Sequence, residues 1–224
     1  MHKKSIAEIY DALASNYENN YQDERVGIAV EAENLFLQEL MPYQGLGKVL
    51  DCGCGTGMFL DLFNIKNKDY TGIDVSNNML EIAKKKYPRN TFLKEDVFTH
   101  EGNYDFCVSL FSIPDYCGIN IIKKSFTLLN DNGMFVGTFI NKNGSYKKIH
   151  CIEESGIEYE PYSFTYSEIA HELHKLGFTW YYILSIVDTT ESTDVQKMKN
   201  YLINNKHTLV HAKYFFVMAQ KNET

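Results

Sequence analysis

The stretch Lys48-Val49-Leu50-Asp51-Cys52-Gly53-Cys54-Gly55-Thr56-Gly57 decides the fold. An apolar run ends in an acid, passes through three glycines at alternate positions, and leads into Met58-Phe59-Leu60-Asp61-Leu62-Phe63, whose apolar spacing is that of a helix. The stretch reads as a strand, a tight turn and a helix start. Glycines in such a turn allow positive φ and let the backbone approach a ligand closely.

The spacing discriminates between ligands. A dinucleotide-binding turn has G-x-G-x-x-G, with a pyrophosphate on the helix N-terminus. Here the third glycine comes one residue early, at Gly57, and Met58 stands where the last glycine would be. Asp51, two residues before the first glycine, would place a carboxylate near that anion, and like charges in a partly dry crevice repel. The turn is better suited to a ligand carrying a sulfonium and an ammonium.

Working outward, strands alternate with helices. Residues 5–21 read as a helix with the stripe Ile6, Ile9, Tyr10, Leu13 and Tyr17. A second helix spans about 26–40, ends at Met41-Pro42, and is followed by a Gly45-Leu46-Gly47 linker. Beyond the glycine turn, residues 68–76 form a strand ending in Asp74, at the spacing where a second strand presents a carboxylate to ribose hydroxyls. A helix over residues 77–87 follows, with Ser76 and Asn78 as capping candidates and Glu81 completing a box with Asn78. Residues 91–97 make a third strand carrying Asp96 at its end. Three strands thus bring Asp51, Asp74 and Asp96 to one carboxyl edge, where ligands bind in open α/β sheets.

Residues 103–111 read as a fourth strand, 119–129 as a helix, Asn130-Asp131-Asn132-Gly133 as a turn, and 134–140 as a fifth strand. Residues 141–164 are polar and aromatic without clear period. Thr165-Tyr166-Ser167-Glu168 opens a helix that Gly177 stops. Residues 178–187 and 211–219 read as strands six and seven, joined by a polar insert with a helix near 195–203. No sheet-covering helix separates these two strands, which makes the last one antiparallel. The expected fold is α/β and Rossmann-like, a seven-stranded mostly parallel sheet with the last strand antiparallel and helices on both faces. The expected organisation is one domain over 1–224, with an amino-terminal helical cap at 1–42 and cap insertions at 141–164 and 188–210.

Composition narrows the function. Of 224 residues, 44% are hydrophobic and 23% charged, as in an ordinary globular protein. No run reaches the ~20 apolar residues of a membrane span, and no signal peptide is evident, so a cytoplasmic location away from membranes is expected. Five cysteines without paired C-x-x-C spacing suggest neither a disulfide framework nor a zinc site. His171 and His174 read as solvated helix residues, and no metal is expected. A net charge of -7 argues against nucleic acid as a partner.

Val49-Leu50-Asp51-x-Gly53-x-Gly55-x-Gly57 and Gly72-Ile73-Asp74-Val75-Ser76-x-x-Met79-Leu80 together resemble the first two motifs of the class I S-adenosylmethionine-dependent methyltransferases. The likeness runs from about Tyr10 to Ala219. It implies S-adenosyl-L-methionine as cofactor, with Asp51 and the turn Gly53, Cys54, Gly55 and Gly57 against its methionine part. It further implies Asp74 on the ribose, Val75 and Met79 flanking the adenine, and Asp96 and the Val97 backbone on the adenine edge. Leu110 and Phe111 would lie beside the sulfonium. Tyr10-Asp11-x-x-Ala14-x-x-Tyr17 resembles the amino-terminal helix of the small-molecule branch, whose aromatics close over the cofactor; periodicity alone makes it a core-facing helix. The turn after strand four, Phe111-Ser112-Ile113-Pro114-Asp115-Tyr116, lacks the Asn/Asp-Pro-Pro-aromatic signature of enzymes that methylate DNA bases or protein glutamine.

The expected reaction is methyl transfer to a small-molecule acceptor. Asp115, Tyr116 and His150 are base candidates by location only, and the catalytic residue stays unassigned. Glu153, Glu154, Glu158 and Glu160 hint at a cationic acceptor. Two other readings are a S-adenosylmethionine-using lyase or derivatising enzyme, and a non-catalytic scaffold retaining the fold.

Overall fold

In the computed structural model, strand β1 (Val49–Cys52) is buried at every position, as a continuous apolar run in the middle of a parallel sheet must be. It pairs in parallel with β2 (Tyr70–Asp74) on one side and β4 (Tyr104–Ser109) on the other. β3 (Thr91–Lys94) lies outside β2, and β5 (Leu129–Asn141) outside β4, both parallel. Beyond β5 the direction reverses. β10 (Tyr214–Lys221) runs antiparallel between β5 and β9 (Phe178–Ile186), so the order is β3-β2-β1-β4-β5-β10-β9. The mostly parallel sheet with an antiparallel last strand is therefore present. The structure describes residues 5–20, 47–58, 60, 69–144, 150–152, 157–186 and 214–222. The helices read at 26–40 and 195–203 lie outside them, as does most of the one following the glycine turn.

Both faces of the sheet are buried. Leu50, Cys107, Phe215 and Val217 belong to one apolar cluster, while their neighbours Val49, Phe106, Val108 and Phe216 belong to a second. Successive strand residues point to opposite faces, which is why these strands read as unbroken hydrophobic runs.

Two additions carry no sequence signature, being too short for a period of two to show. β8 (Ser163–Phe164) pairs in parallel with the end of β5 as an eighth strand. Within the aperiodic 141–164 stretch, β6 (His150–Ile152) and β7 (Ile157–Tyr159) form a separate antiparallel pair. A third difference concerns Asn130-Asp131-Asn132-Gly133. These residues do not precede the fifth strand but bulge within it: the step from Tyr104 to Phe106 on β4 faces the step from Leu129 to Met134 on β5. Asn132 takes φ 63° there, a conformation that asparagine tolerates better than most residues.

The helices follow their caps. The amino-terminal segment is α1 (Ile6–Leu13), a 3-10 turn (Ala14–Asn16) and α2 (Tyr17–Asn20), opened by a Ser5–Glu8 capping box. α3 (Asn77–Lys86) buries Met79, Leu80 and Ala83. Its cap is Ser76, whose hydroxyl accepts from the Met79 N–H. The box expected between Asn78 and Glu81 does not form, because Asn78 lies inside the first turn and bonds to Asp11 instead. α4 (Asn120–Leu128) connects β4 to β5. α5 (Tyr166–Leu176) has the expected Thr165–Glu168 box and stops at Gly177, which takes φ 92°. No helix among the described residues is long and apolar enough to cross a membrane.

Candidate functional site

The glycine turn is stitched to its neighbours through its own backbone groups. The N–H groups of Gly53 and Cys54 both donate to the Ile73 carbonyl, at 2.8 and 3.0 Å. From the other side, the hydroxyls of Ser109 and Ser112 donate to the Cys52 carbonyl at 3.1 and 2.8 Å. Gly53 takes φ 77°, and a Cβ there would come within 2.4 Å of the Ser112 Cβ. Only glycine satisfies both conditions.

Asp74, at the end of β2, is held on both oxygens. The Gly55 N–H donates to Oδ2 and the Ser76 N–H to Oδ1, each at 2.8 Å. Burial pushes its pKa upward, the backbone hydrogen bonds from Ser76 and Gly55 oppose this, and the charge of Asp11 adds to the rise. Each oxygen keeps further acceptor capacity.

These elements enclose an open cleft of about 610 Å³, mouth included. Ile6, Tyr10 and Tyr17 form its roof, while Gly53, Gly55, Ile73, Asp74 and Val75 form its floor. Met79 and Val97, with Glu95, line one wall, and Leu110, Phe111, Ser112, Tyr116 and Cys117 the other. Tyr10 and Tyr17 meet edge to face with ring centroids 6.0 Å apart. Of the residues singled out from the sequence, Tyr10, Tyr17, Gly53, Gly55, Asp74, Val75, Met79, Val97, Leu110 and Phe111 converge on this cleft.

Asp51, Cys54, Gly57 and Asp96 do not line it. Asp51 is 3% exposed, and the Tyr70 hydroxyl donates to its Oδ2 at 2.7 Å. Burial raises its pKa to about 7, against the pull of the Tyr70 hydroxyl and with help from the Asp74 charge. Its carboxylate therefore stands behind the cleft, and the acids that line it are Asp74 and Glu95. Cys54 packs over Gly72, where a Cβ would lie 2.8 Å from its Sγ. Gly57 faces the Tyr87 ring and Ala83. Asp96 accepts from the Phe98 N–H at 2.9 Å and the Tyr116 hydroxyl at 2.6 Å, while its neighbours Glu95 and Val97 line the cleft.

The sequence reading missed Ile73, Glu95, Ser112 and Cys117 as lining residues. It placed Ile6 only in an apolar stripe, and Tyr116 only among base candidates. Tyr116 and Cys117 belong to a π-helical turn, Ile113–Cys117, which Gly118 closes by donating to the Ile113 carbonyl at 2.9 Å. Such a turn has no sequence signature, and π turns gather at functional sites. Phe111 takes φ 57° and meets Tyr214 edge to face at 5.8 Å, so a non-glycine residue in a costly conformation stands in the wall. Glu95 is anchored by His100 Nδ1 at 2.5 Å, whose Nε2 meets the Tyr104 hydroxyl at 2.8 Å.

Chemically, the cleft offers apolar and aromatic surface, turn backbone and two oriented carboxylates, Asp74 and Glu95. Burial and the hydrogen bond to Asp96 raise the Tyr116 pKa, and burial raises Cys117 to about 12, so both stay protonated at neutral pH. The side chains of Asp115 and His150 lie outside those described. His171 and His174 are exposed on α5, and the described residues contain no group of three or more His, Cys, Asp or Glu able to hold a metal.

Residues 25–183 match the family model described as a methyltransferase domain. An uncharacterised protein of Methanocaldococcus jannaschii is 27% identical over 98% of this chain and 92% of its own length. The malonyl-[acyl-carrier protein] O-methyltransferase of Buchnera aphidicola is 33% identical over 42% of this chain and 36% of its own. Among solved structures, a S-adenosylmethionine-dependent methyltransferase of Thermotoga maritima superposes with TM-score 0.71 at 18% identity, covering 97% of this chain and all of the other. The chain belongs to the methyltransferase domain family, and its fold is the class I S-adenosylmethionine-dependent methyltransferase fold that its two motifs resemble.

Proposed function

We propose that the cleft binds S-adenosylmethionine and that the protein transfers its methyl group to a small-molecule acceptor. The observation that carries this reading is Asp74, whose two oxygens are oriented by the N–H groups of Gly55 and Ser76 on the floor of a largely apolar cleft. Two lone pairs are used by the backbone, and those left can accept from both ribose hydroxyls. Val75, Met79 and Val97 supply an apolar slot for the purine. The Val97 backbone faces the adenine edge, while Asp96, behind the lining, fixes the Tyr116 hydroxyl in the wall. The turn backbone at Gly53 and Gly55 faces the methionine part, and Leu110 and Phe111 stand at the end of β4 for the methyl group and its acceptor. Asp51, Cys54 and Gly57 shape the site from behind it.

Transfer from a sulfonium is an in-line displacement: the acceptor lone pair forms a bond to the methyl carbon as the carbon–sulfur bond breaks and its electrons return to sulfur. Alignment in a closed cleft can supply roughly 7 to 11 kcal/mol, so no covalent nucleophile is required. A hydroxyl or ammonium acceptor must also lose a proton to a base.

Two features favour a small acceptor. The roof of Ile6, Tyr10 and Tyr17 narrows the cleft, and the net charge of -7 does not suit a phosphate backbone. The Buchnera enzyme's acceptor is not carried over, since the likeness spans 36% of that protein. Mass analysis of an incubation with S-adenosylmethionine and a pool of small metabolites tests the reading. S-Adenosylhomocysteine together with a product heavier by one methylene is expected. Methylthioadenosine without any methylated product would make the protein a lyase.

A further inference from the structure

We infer that Asp11 is a positioning residue that latches the amino-terminal helices over the cleft, and that opening this latch limits the release of bound cofactor. The inference rests on reading the cleft as the cofactor site.

The roof needs an anchor, because Ile6, Tyr10 and Tyr17 come from short helices lying outside the sheet. Asp11 provides it. Its Oδ1 accepts from the Ser76 hydroxyl at 2.6 Å and from the Asn78 N–H at 2.9 Å. The Asn78 side-chain amide donates back to the Asp11 carbonyl at 2.9 Å. Ser76 is also the cap of α3, accepting from the Met79 N–H. The roof thus completes the cap of a helix 65 residues away in sequence, satisfying one of its orphan N–H groups with a charge that suits its positive end. Burial opposes ionisation of Asp11, yet the bonds from Ser76 and Asn78 and the charge of Lys94 outweigh it, holding the carboxyl below its usual range.

The position makes this bond set a latch. Asp11 adjoins Tyr10 in the roof, and Ser76 lies two residues past Asp74 on the floor, so the bonds tie roof to floor beside the cleft. A second tie, Lys86 to Glu18 at 2.7 Å, meets the other end of α3. Both of its side chains are substantially exposed, and such pairs contribute little. Ile9 and Ala14, each 5% exposed, are the buried contacts of α1 and the 3-10 turn, so losing the latch makes this segment open more often without unfolding the sheet. Opening is therefore a local event.

Asp11→Ala tests this in the full chain. Amide hydrogen exchange without ligand should rise over residues 6–20 while β1, β4 and β5 keep their protection. Stopped-flow displacement should show S-adenosylhomocysteine leaving about tenfold faster, with association changed less than about threefold. Asn78→Ala, which removes only the return bond on an exposed turn, should give the same pattern at about threefold, and Lys86→Met should stay within twofold. Unchanged exchange over 6–20, or an unchanged dissociation rate in both Asp11→Ala and Asn78→Ala, would overturn the latch. If the wild-type protein binds no S-adenosylhomocysteine, the cofactor reading falls and the exchange result alone judges the latch.

Discussion

The floor and the roof of the cleft are built by different means. The floor is mostly backbone: a glycine turn whose N–H groups donate to the Ile73 carbonyl and whose Cys52 carbonyl accepts from Ser109 and Ser112, and Asp74 held by two N–H groups, all within elements adjacent in the sheet. The roof is side chains, attached through Asp11 to a helix cap far away in sequence. A floor made of backbone is rigid and intolerant of substitution, whereas a roof held by a few polar bonds can open. The difference suits a site that must orient a cofactor and then let its product go.

Substitutions can break or sharpen this contrast. Gly53→Val should act most strongly, since it forces a β-branched residue to φ 77° and drives its Cβ onto Ser112. Strain and overpacking of this kind cost about 3 kcal/mol, and we expect a lower melting temperature with more than 100-fold loss of S-adenosylhomocysteine affinity in calorimetry. Asp74→Ala should weaken binding about tenfold or more, in line with lost charge-assisted bonds worth ~1.5 to 3 kcal/mol. An unchanged dissociation constant would remove Asp74 from the site. On the roof, Tyr17→Ala should weaken binding only about fivefold, the ~1 kcal/mol of an aromatic contact. A Tyr17 effect larger than that of Asp74 would invert the contrast.

Asp51→Asn should change affinity least, within about twofold by the same titration. Its signature is in stability against pH. Native Asp51 keeps its proton up to about pH 7, whereas the unfolded group loses it near 3.8. The native state therefore binds more protons across this window, so the contribution of Asp51 is fully present below 3.8 and is lost as pH rises through 7. Denaturant titrations should show Asp51→Asn gaining on the wild type from pH 4 to 7, by on the order of 4 kcal/mol at most. A gap independent of pH would mean that Asp51 is ionised in the folded protein.

The same division explains what the sequence could reveal. The turn at Gly53 to Gly57 and the acid at Asp74 are legible because local rules govern them: strand, positive φ, cap. Asp51 looked equivalent to Asp74, since both end a strand. In a strand buried on both faces the pattern does not tell which way a side chain points, and only the fold brings the Tyr70 hydroxyl to Asp51. Asp96 likewise follows a strand but stands outside the lining, where it accepts from the Phe98 N–H and the Tyr116 hydroxyl. The stripe Ile6, Tyr10 and Tyr17 disclosed a helix with something to cover, but not what it covers. The π turn that carries Tyr116 and Cys117 into the wall has no periodicity to read, and neither have strands as short as β6, β7 and β8.

The central claim is that the cleft between this floor and roof is a S-adenosylmethionine site. Isothermal titration calorimetry of the full chain tests it most directly. One S-adenosylhomocysteine per chain with measurable heat, and none with NAD, is the predicted result. No heat with S-adenosylmethionine or S-adenosylhomocysteine, or binding of NAD in their place, would contradict it.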